Sequence, residues 1–354
     1  MSALKADDAG FNETMDLAAV RAAVSAEARA IVDDALVWDM TTPWTPEYVY
    51  TDRILPRFRR AGFDLMSLTV MGPERTMEGT IVHLAQVSRE LDARPDVVRC
   101  RTVADVRRAR AEGKLGVVYN LQETQHFDRD LALVGLYHEL GVRHALLAYN
   151  SRNRVGDGCG ERQDSGLSRW GLRVVREMVR VGMLVDGTHS GHATTMDAIA
   201  LCGELGAPFV FSHCNAHAVV PHYRNIRDDQ IRACAETGGV IGVNGLGEFL
   251  DDEGATSASI FRHLDHMAGL VGPRHLGLGL DFVLDVGGFW DWVDRFPHMW
   301  PESPGIARRR SAFAQPEQVL ELADLMLRAG WSDEDVRGVL GENWARVCER
   351  VWGQ

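Results

Sequence analysis

Eight short apolar, β-rich runs, each followed by a longer amphipathic stretch, set the fold class of this chain before any single residue is considered. They are ALVWDMT from Ala35, FDLMSLTV from Phe63, LGVVYNLQ from Leu115, VRHALLAY from Val142, MLVDGT from Met183, FVFSH from Phe209, GVIGVNG from Gly239 and HLGLGLD from His275. Between them lie helical candidates such as DLALVGLYHELG, SRWGLRVVREMVRVG, HATTMDAIALCGELG and RDDQIRACAETGG, each closing on the glycine expected at a helix C-terminus. This alternation is the pattern of βα units around a parallel sheet. A doubly wound sheet should show a dinucleotide fingerprint after its first strand, and none is there. Gly277-Leu278-Gly279-Leu280-Asp281 has a GxG core but no third glycine opening a helix. The expected fold is therefore α/β, a closed (β/α)8 TIM barrel forming one domain over 1–354. A helical extension over about 1–34, with a helix near 15–35, precedes the barrel, and further helices follow it. The stretch GGFWDWVDRFPHMWPESPG after the last run reads as a long loop whose aromatics pack on the barrel mouth or cover it.

The 354 residues suit one barrel with decorations, and 45% hydrophobic with 25% charged residues is a globular composition. A formal net charge of −12 argues against a nucleic-acid partner, and Arg308-Arg309-Arg310 reads as a solvated loop. The six cysteines are scattered without a CxxC pair, which disfavours a disulfide framework or a thiolate zinc site and fits a reducing compartment. The opening MSALKADDAGFNETMDL lacks an apolar core for a signal peptide, and no apolar run approaches the roughly 20 residues of a membrane span. A cytoplasmic protein without a membrane partner is expected, with a homodimer as one allowed assembly.

In a barrel the C-terminal ends of the strands face the active site, so ionisable residues there carry weight. They are Asp39 and Thr41 on the first run, Glu123 on the third, Tyr149 and Asn150 on the fourth, His189 on the fifth, His213 on the sixth and Asp281 on the eighth. A borderline divalent ion takes imidazole and carboxylate ligands converging from several directions, a set that Glu123, His189 and His213 supply. Asp281 is placed to take a proton from an activated water and pass it to a leaving amine. Arg224, in the loop after the sixth run, suits a bidentate grip on a substrate carboxylate, although a structural salt bridge fits its position equally well. His217 and His222 read as supporting or surface groups, and His192 as the start of a helix. No GxSxG elbow competes as a nucleophile.

These residues make the chain resemble the membrane (renal) dipeptidase family, metallopeptidase family M19, within the amidohydrolase-like barrels. The resemblance is carried by GLSRWGLRVVREMVRVGMLVDGTHSGHATTMDAI, by FVFSHCNAHAVVPHYRNIRDDQIRACAETGGVIGVNG, by DHMAGLVGPRHLGLGLDF and by VLGENWARV. It implies a dinuclear zinc hydrolase cleaving dipeptides or related small amides with a free carboxylate. Glu123 would be the bridging carboxylate, His189 and His213 the ligands of one metal, Asp281 a metal ligand that also handles the proton, and Arg224 the grip on the substrate carboxylate, with Asn150 nearby.

The departures matter as much. The family's first strand carries His-x-Asp, and VWDMTTPW puts Asp39 and Thr41 there instead. Asp39 remains a candidate ligand, whereas the Thr41 hydroxyl replaces a carboxylate poorly. One zinc at Glu123, His189 and His213 is the expectation carried forward, with two metals or none left open. Tyr149 stands where mammalian members carry a histidine that polarises the scissile carbonyl, and its phenol could donate to an oxyanion or merely pack. Val283 makes the rim behind Asp281 more apolar. The alternative is a repurposed barrel that acts on another metabolite without hydrolysis, or only binds it.

Overall fold

The computed structural model describes residues 15–43, 53–301 and 310–353. Nine parallel strands run through it: β1 (Trp38–Pro43), β2 (Leu65–Met71), β3 (Val97–Arg99), β4 (Leu115–Leu121), β5 (Val142–Leu146), β6 (Leu184–Asp186), β7 (Phe209–Val210), β8 (Ile241–Val243) and β9 (Leu276–Leu278). Each of the eight expected runs overlaps one of them. The ninth, β3, was missed because VVR is too short to show a period; it pairs only with the start of β4 and stands off the main path.

A continuous ladder joins β1, β2, β4, β5, β6 and β7, and a second joins β8 to β9. The parallel bridge Phe211–Ile241 links the two, reinforced where Cys214 N donates to Gly242 O at 2.7 Å. Between β9 and β1, Asp281 N donates to Thr41 O at 3.1 Å, and Leu280 N donates to the Asp39 Oδ1 carboxylate oxygen at 2.8 Å. A side-chain carboxylate thus supplies part of the closing seam. Asp39 Oδ1 also receives Thr41 N at 3.4 Å and its Oδ2 receives the Thr42 hydroxyl at 3.1 Å, so this candidate ligand is tied into the wall.

The floor of the barrel is apolar. Trp38, Met40, Leu65, Val118, Leu184 and Val210 cluster there with Trp344 of the C-terminal helix Asn343–Val351. Trp344 donates its indole N–H to Leu278 O at 3.1 Å, and a Cβ on Gly277 would lie 2.3 Å from that nitrogen. A Cβ on Gly279 would lie 1.8 Å from Ser212 O. The glycines of the GxG string therefore serve close packing of backbone and ring.

Two expectations need correction. The single N-terminal helix is two, Leu17–Ala23 capped by Asp16 and Ala26–Asp34 capped by Ser25, whose backbone N–H is taken by Asp324 at 2.9 Å. Serine at a cap starts a new helix rather than continuing the old one. The loop after β9 contains the helix Val286–Arg295, with Asp285 as its cap accepting from Gly288 N. Residues 1–14 of the extension, Trp44 of the first-strand motif, Arg308, Arg309 and part of the aromatic loop lie outside the described residues; Arg310 pairs with Asp291 and Asp294. All six cysteines are free thiols, and among the described residues no helix is long and apolar enough to cross a membrane.

Candidate active site

His189 follows β6 and His213 follows β7, and the two rings meet at the C-terminal end of the barrel. Their Nε2 atoms stand 3.2 Å apart, with 3% and 0% of each residue exposed. Each ring is held at its other nitrogen. His189 Nδ1 lies 2.7 Å from Asn150 Oδ1, an atom that can only accept, so Nδ1 carries the hydrogen. His213 Nδ1 lies between two hydroxyls, Ser212 Oγ at 2.8 Å and Thr41 Oγ1 at 3.0 Å, the latter also 2.7 Å from Met40 O, so this ring is held at its Nδ1 from two sides. Burial, and then the charge of Arg224, push both imidazoles well below their ordinary pKa. Two neutral rings therefore meet Nε2 to Nε2 in a dry site, an arrangement that a hydrogen on His213 Nε2 or a shared cation would satisfy. Nitrogens about 2.0–2.1 Å from a tetrahedral zinc are themselves roughly 3.3 Å apart, so the pair has the bite of such a chelate.

The other expected ligands are not gathered as tightly. Among the described residues, no group of three or more His, Cys, Asp and Glu side chains is close enough to hold a metal. Glu123, at the end of β4, is buried and its Oε1 accepts from Asn153 Nδ2 at 2.9 Å; burial raises its pKa to about 7. Asp281 accepts from Asn244 Nδ2 at 3.1 Å, and burial lifts it to about 7 against the opposing charge of Arg224. Asp39 is also pushed up to about 7 by burial, against its three hydrogen bonds. Thr41 orients His213, a use that the replacement of a carboxylate by threonine did not announce.

Arg224 is 2% exposed, lies 5.0 Å above the Phe249 ring, and donates weakly from Nη1 to Cys214 Sγ at 3.9 Å. Its Nε and Nη2 are buried without a partner among the described residues. Burial opposes its charge, and the groups that support it are Cys159, Cys214, Tyr149 and Asp281. Burial keeps the two thiols and the phenol protonated, leaving Asp281 as the one carboxylate among them. A buried guanidinium with two donors left open can receive an anion. Beside it, a cavity of about 210 Å³ is lined by His189, Arg224, Cys159, Cys214 and Tyr223.

Tyr149 stacks on His189 with centroids 4.0 Å apart and an interplanar angle of 19°. Trp292 and Trp300 meet its ring edge-on, and Val283 joins the same apolar cluster, so the aromatics after β9 both pack on and roof the site. His222 accepts from Arg224 N at its Nδ1 and faces Glu248, which makes it a support, while His217 is half-buried. His192 opens the helix His192–Glu204 and pairs with Asp229.

Three of the expected site residues, Asn150, His189 and Asp281, have left-handed backbone at φ 55°, 67° and 57°. Non-glycine residues rarely adopt it, and such strain concentrates where side chains must be aimed.

A family model for membrane dipeptidase, peptidase family M19, matches residues 34–299. The chain belongs to peptidase family M19. An uncharacterised dipeptidase of Schizosaccharomyces pombe is 30% identical over 249 residues, 68% of this chain and 54% of its own length. Dipeptidase AclJ of Aspergillus oryzae is 30% identical over 280 residues, 77% of this chain and 61% of its own length. The chain thus spans only about half to three-fifths of these two relatives. An amidohydrolase of Pseudomonas aeruginosa superposes with a TM-score of 0.81 at 27% identity, covering 92% of this chain and 99% of the other. Within the M19 frame, Asp39 and Thr41 occupy the first-strand motif with one residue in the barrel seam and the other against a histidine.

Polar residues absent from the sequence reading are Asp186, Thr188, Ser212, Asn153, Asn215 and Asn244. Asp186 carried a signal, a lone carboxylate closing an apolar strand three residues before His189. Asn215 and Asn244 brace each other across the loops after β7 and β8, with Asn244 N donating to Asn215 Oδ1 at 3.1 Å.

Proposed function

We propose that this M19 protein is a metal-dependent hydrolase that cleaves a dipeptide, or a related small amide bearing a free carboxylate, using one zinc ion. The observation that carries the reading is the 3.2 Å separation of the two Nε2 atoms beside a buried arginine whose Nε and Nη2 have no partner among the described residues. His189 and His213 would hold the metal, with Glu123 as the third ligand; Asp39, engaged in the seam, is the residue that a second metal would have to recruit. When bound, the metal supplies an activated water and polarises the scissile carbonyl.

The chain's own residues do the rest. Arg224 takes the substrate carboxylate through Nε and Nη2, orienting the amide over the histidine pair. Asp281, with one oxygen held by Asn244, accepts the proton of the attacking water and delivers it to the departing amine. Tyr149 keeps its phenolic hydrogen, since burial holds its pKa well above the ordinary value, and donates it to the developing oxyanion. The aromatic roof excludes bulk water. The free thiols suit a reducing, cytoplasmic setting.

The test is hydrolysis of a dipeptide panel including D-residues at the C-terminal position, with the N-acetyl and C-amidated forms beside them. Turnover that survives blocking the amine and fails on amidating the carboxylate supports the reading. Equal turnover of the amidated forms, or none of any form by metal-loaded protein, overturns it.

A further inference from the structure

The ladder between β6 and β7 ends at the pair Asp186–Val210, followed by one more bond from Gly187 N to Val210 O at 2.9 Å. Beyond it the two chains must run to His189 and His213 with nothing but side chains between them. Asp186 occupies that gap. Its Oδ1 receives Thr188 N at 3.0 Å and Ser212 N at 3.1 Å, the amides immediately ahead of the two histidines. Its Oδ2 receives His144 Nδ1 at 3.0 Å, and His144 Nε2 lies 2.8 Å from Ser67 Oγ, which Asn120 Nδ2 supports at 2.9 Å. Every member of this network is 0% exposed.

We propose that Asp186 is a positioning residue that sets the spacing of the histidine pair, one of its carboxylate oxygens anchoring the amide ahead of each ring. Three further observations support it. Thr188 Oγ1 accepts from His213 N at 3.3 Å, so the two anchored loops are also pinned to each other. His189 sits at φ 67°, a strained conformation that persists only when its surroundings over-determine it, and the anchored amide at Thr188 is adjacent. Although burial pushes Asp186 up, the hydrogen bond and charge of His144 hold it at about 2, so both amides meet an ionised acceptor, about twice as strong as a neutral one. The role of this spacing in metal binding rests on the function proposed above.

The experiment is a Co²⁺ titration, followed by its visible absorption, on wild type, Asp186→Asn and Ser67→Ala, with crystal structures of the metal-free proteins. Asp186→Asn keeps the shape but removes the charge and opposes an amide to the His144 N–H. Its Co²⁺ dissociation constant should rise roughly 10–100-fold, as for other residues that orient ligands. Ser67→Ala, which disturbs the same core at the far end, should stay within about threefold. In the metal-free variant at position 186, the Nε2 atoms should move apart from the 3.2 Å of the native pair. Unchanged Co²⁺ affinity with unchanged bands, or an unmoved histidine pair, overturns the proposal. Should Asp186→Asn fail to fold, His144→Phe removes the support of Oδ2 alone; a several-fold weaker Co²⁺ affinity is expected, and wild-type affinity overturns the proposal. Wild-type protein that binds no Co²⁺ refutes the metal reading instead, and the metal-free structures then decide the role of Asp186.

Discussion

His189 Nε2 and His213 Nε2 face each other at 3.2 Å, each ring held at its Nδ1, by Asn150 Oδ1 in one case and by Ser212 Oγ and Thr41 Oγ1 in the other. That relationship gives a pair of buried imidazoles the spacing of a zinc chelate. Removing an Nδ1 partner should therefore weaken metal binding without touching a ligand. Asn150→Ala should raise the zinc dissociation constant about 10–100-fold by competition titration. Because alanine also has to adopt φ 55°, Asn150→Gly serves as the control for strain and should show the same loss.

Arg224 is a second point of attack. Arg224→Met keeps much of the bulk over Phe249 but removes the charge and both idle donors. A charged hydrogen-bond pair contributes about 1.5–3 kcal/mol, so kcat/KM on a dipeptide should drop by roughly 10–150-fold, most of it in KM. Arg224→Lys should recover little, because an ammonium cannot reproduce the fork. A variant with unchanged KM contradicts the assignment.

Tyr149 separates chemistry from packing. Tyr149→Phe preserves the stack on His189 and deletes the donor. If the phenol stabilises the oxyanion, kcat should fall by about 10²-fold with KM nearly constant and the melting temperature retained. A loss under threefold would assign the ring to packing alone.

Asp39 should show itself in stability rather than in metal content. Its carboxyl titrates near 3.8 when unfolded and at about 7 when folded, raised by burial. Between those values the folded state holds the extra proton, so unfolding free energy falls as pH rises from about 4 to about 7, at up to ~1.4 kcal/mol per pH unit for this group. Asp39→Asn, whose amide oxygen can still receive Leu280 N, should flatten that slope in urea melts at pH 5 and 7 and leave metal content unchanged. Asp39→Ala opens the seam and should destabilise the protein at both pH values. Loss of a metal ion from Asp39→Asn would instead make it a ligand.

The barrel was legible because eight apolar runs alternate with helices that close on glycine, a pattern fixed by the parallel sheet itself. His189, His213 and Arg224 were legible because polar groups at strand ends have few structural uses. Asp186, Ser212 and Asn244 were not, since a buried polar side chain acquires meaning only from the backbone amide it meets, and that amide lies on another strand. The seam role of Asp39 was hidden for the same reason: its partner, Leu280 N, is 241 residues away. The helix Val286–Arg295 was lost among aromatics that promised a loop, although Asp285 stood ready as its cap.

Metal content of protein purified without added metal, by mass spectrometry against amino-acid analysis, is the most direct measurement. One zinc per chain, lost in His189→Ala and in His213→Ala and retained in Asp39→Asn, is the expected result. Two metals per chain, or a metal-free protein that hydrolyses dipeptides at full rate, would contradict the single-metal site.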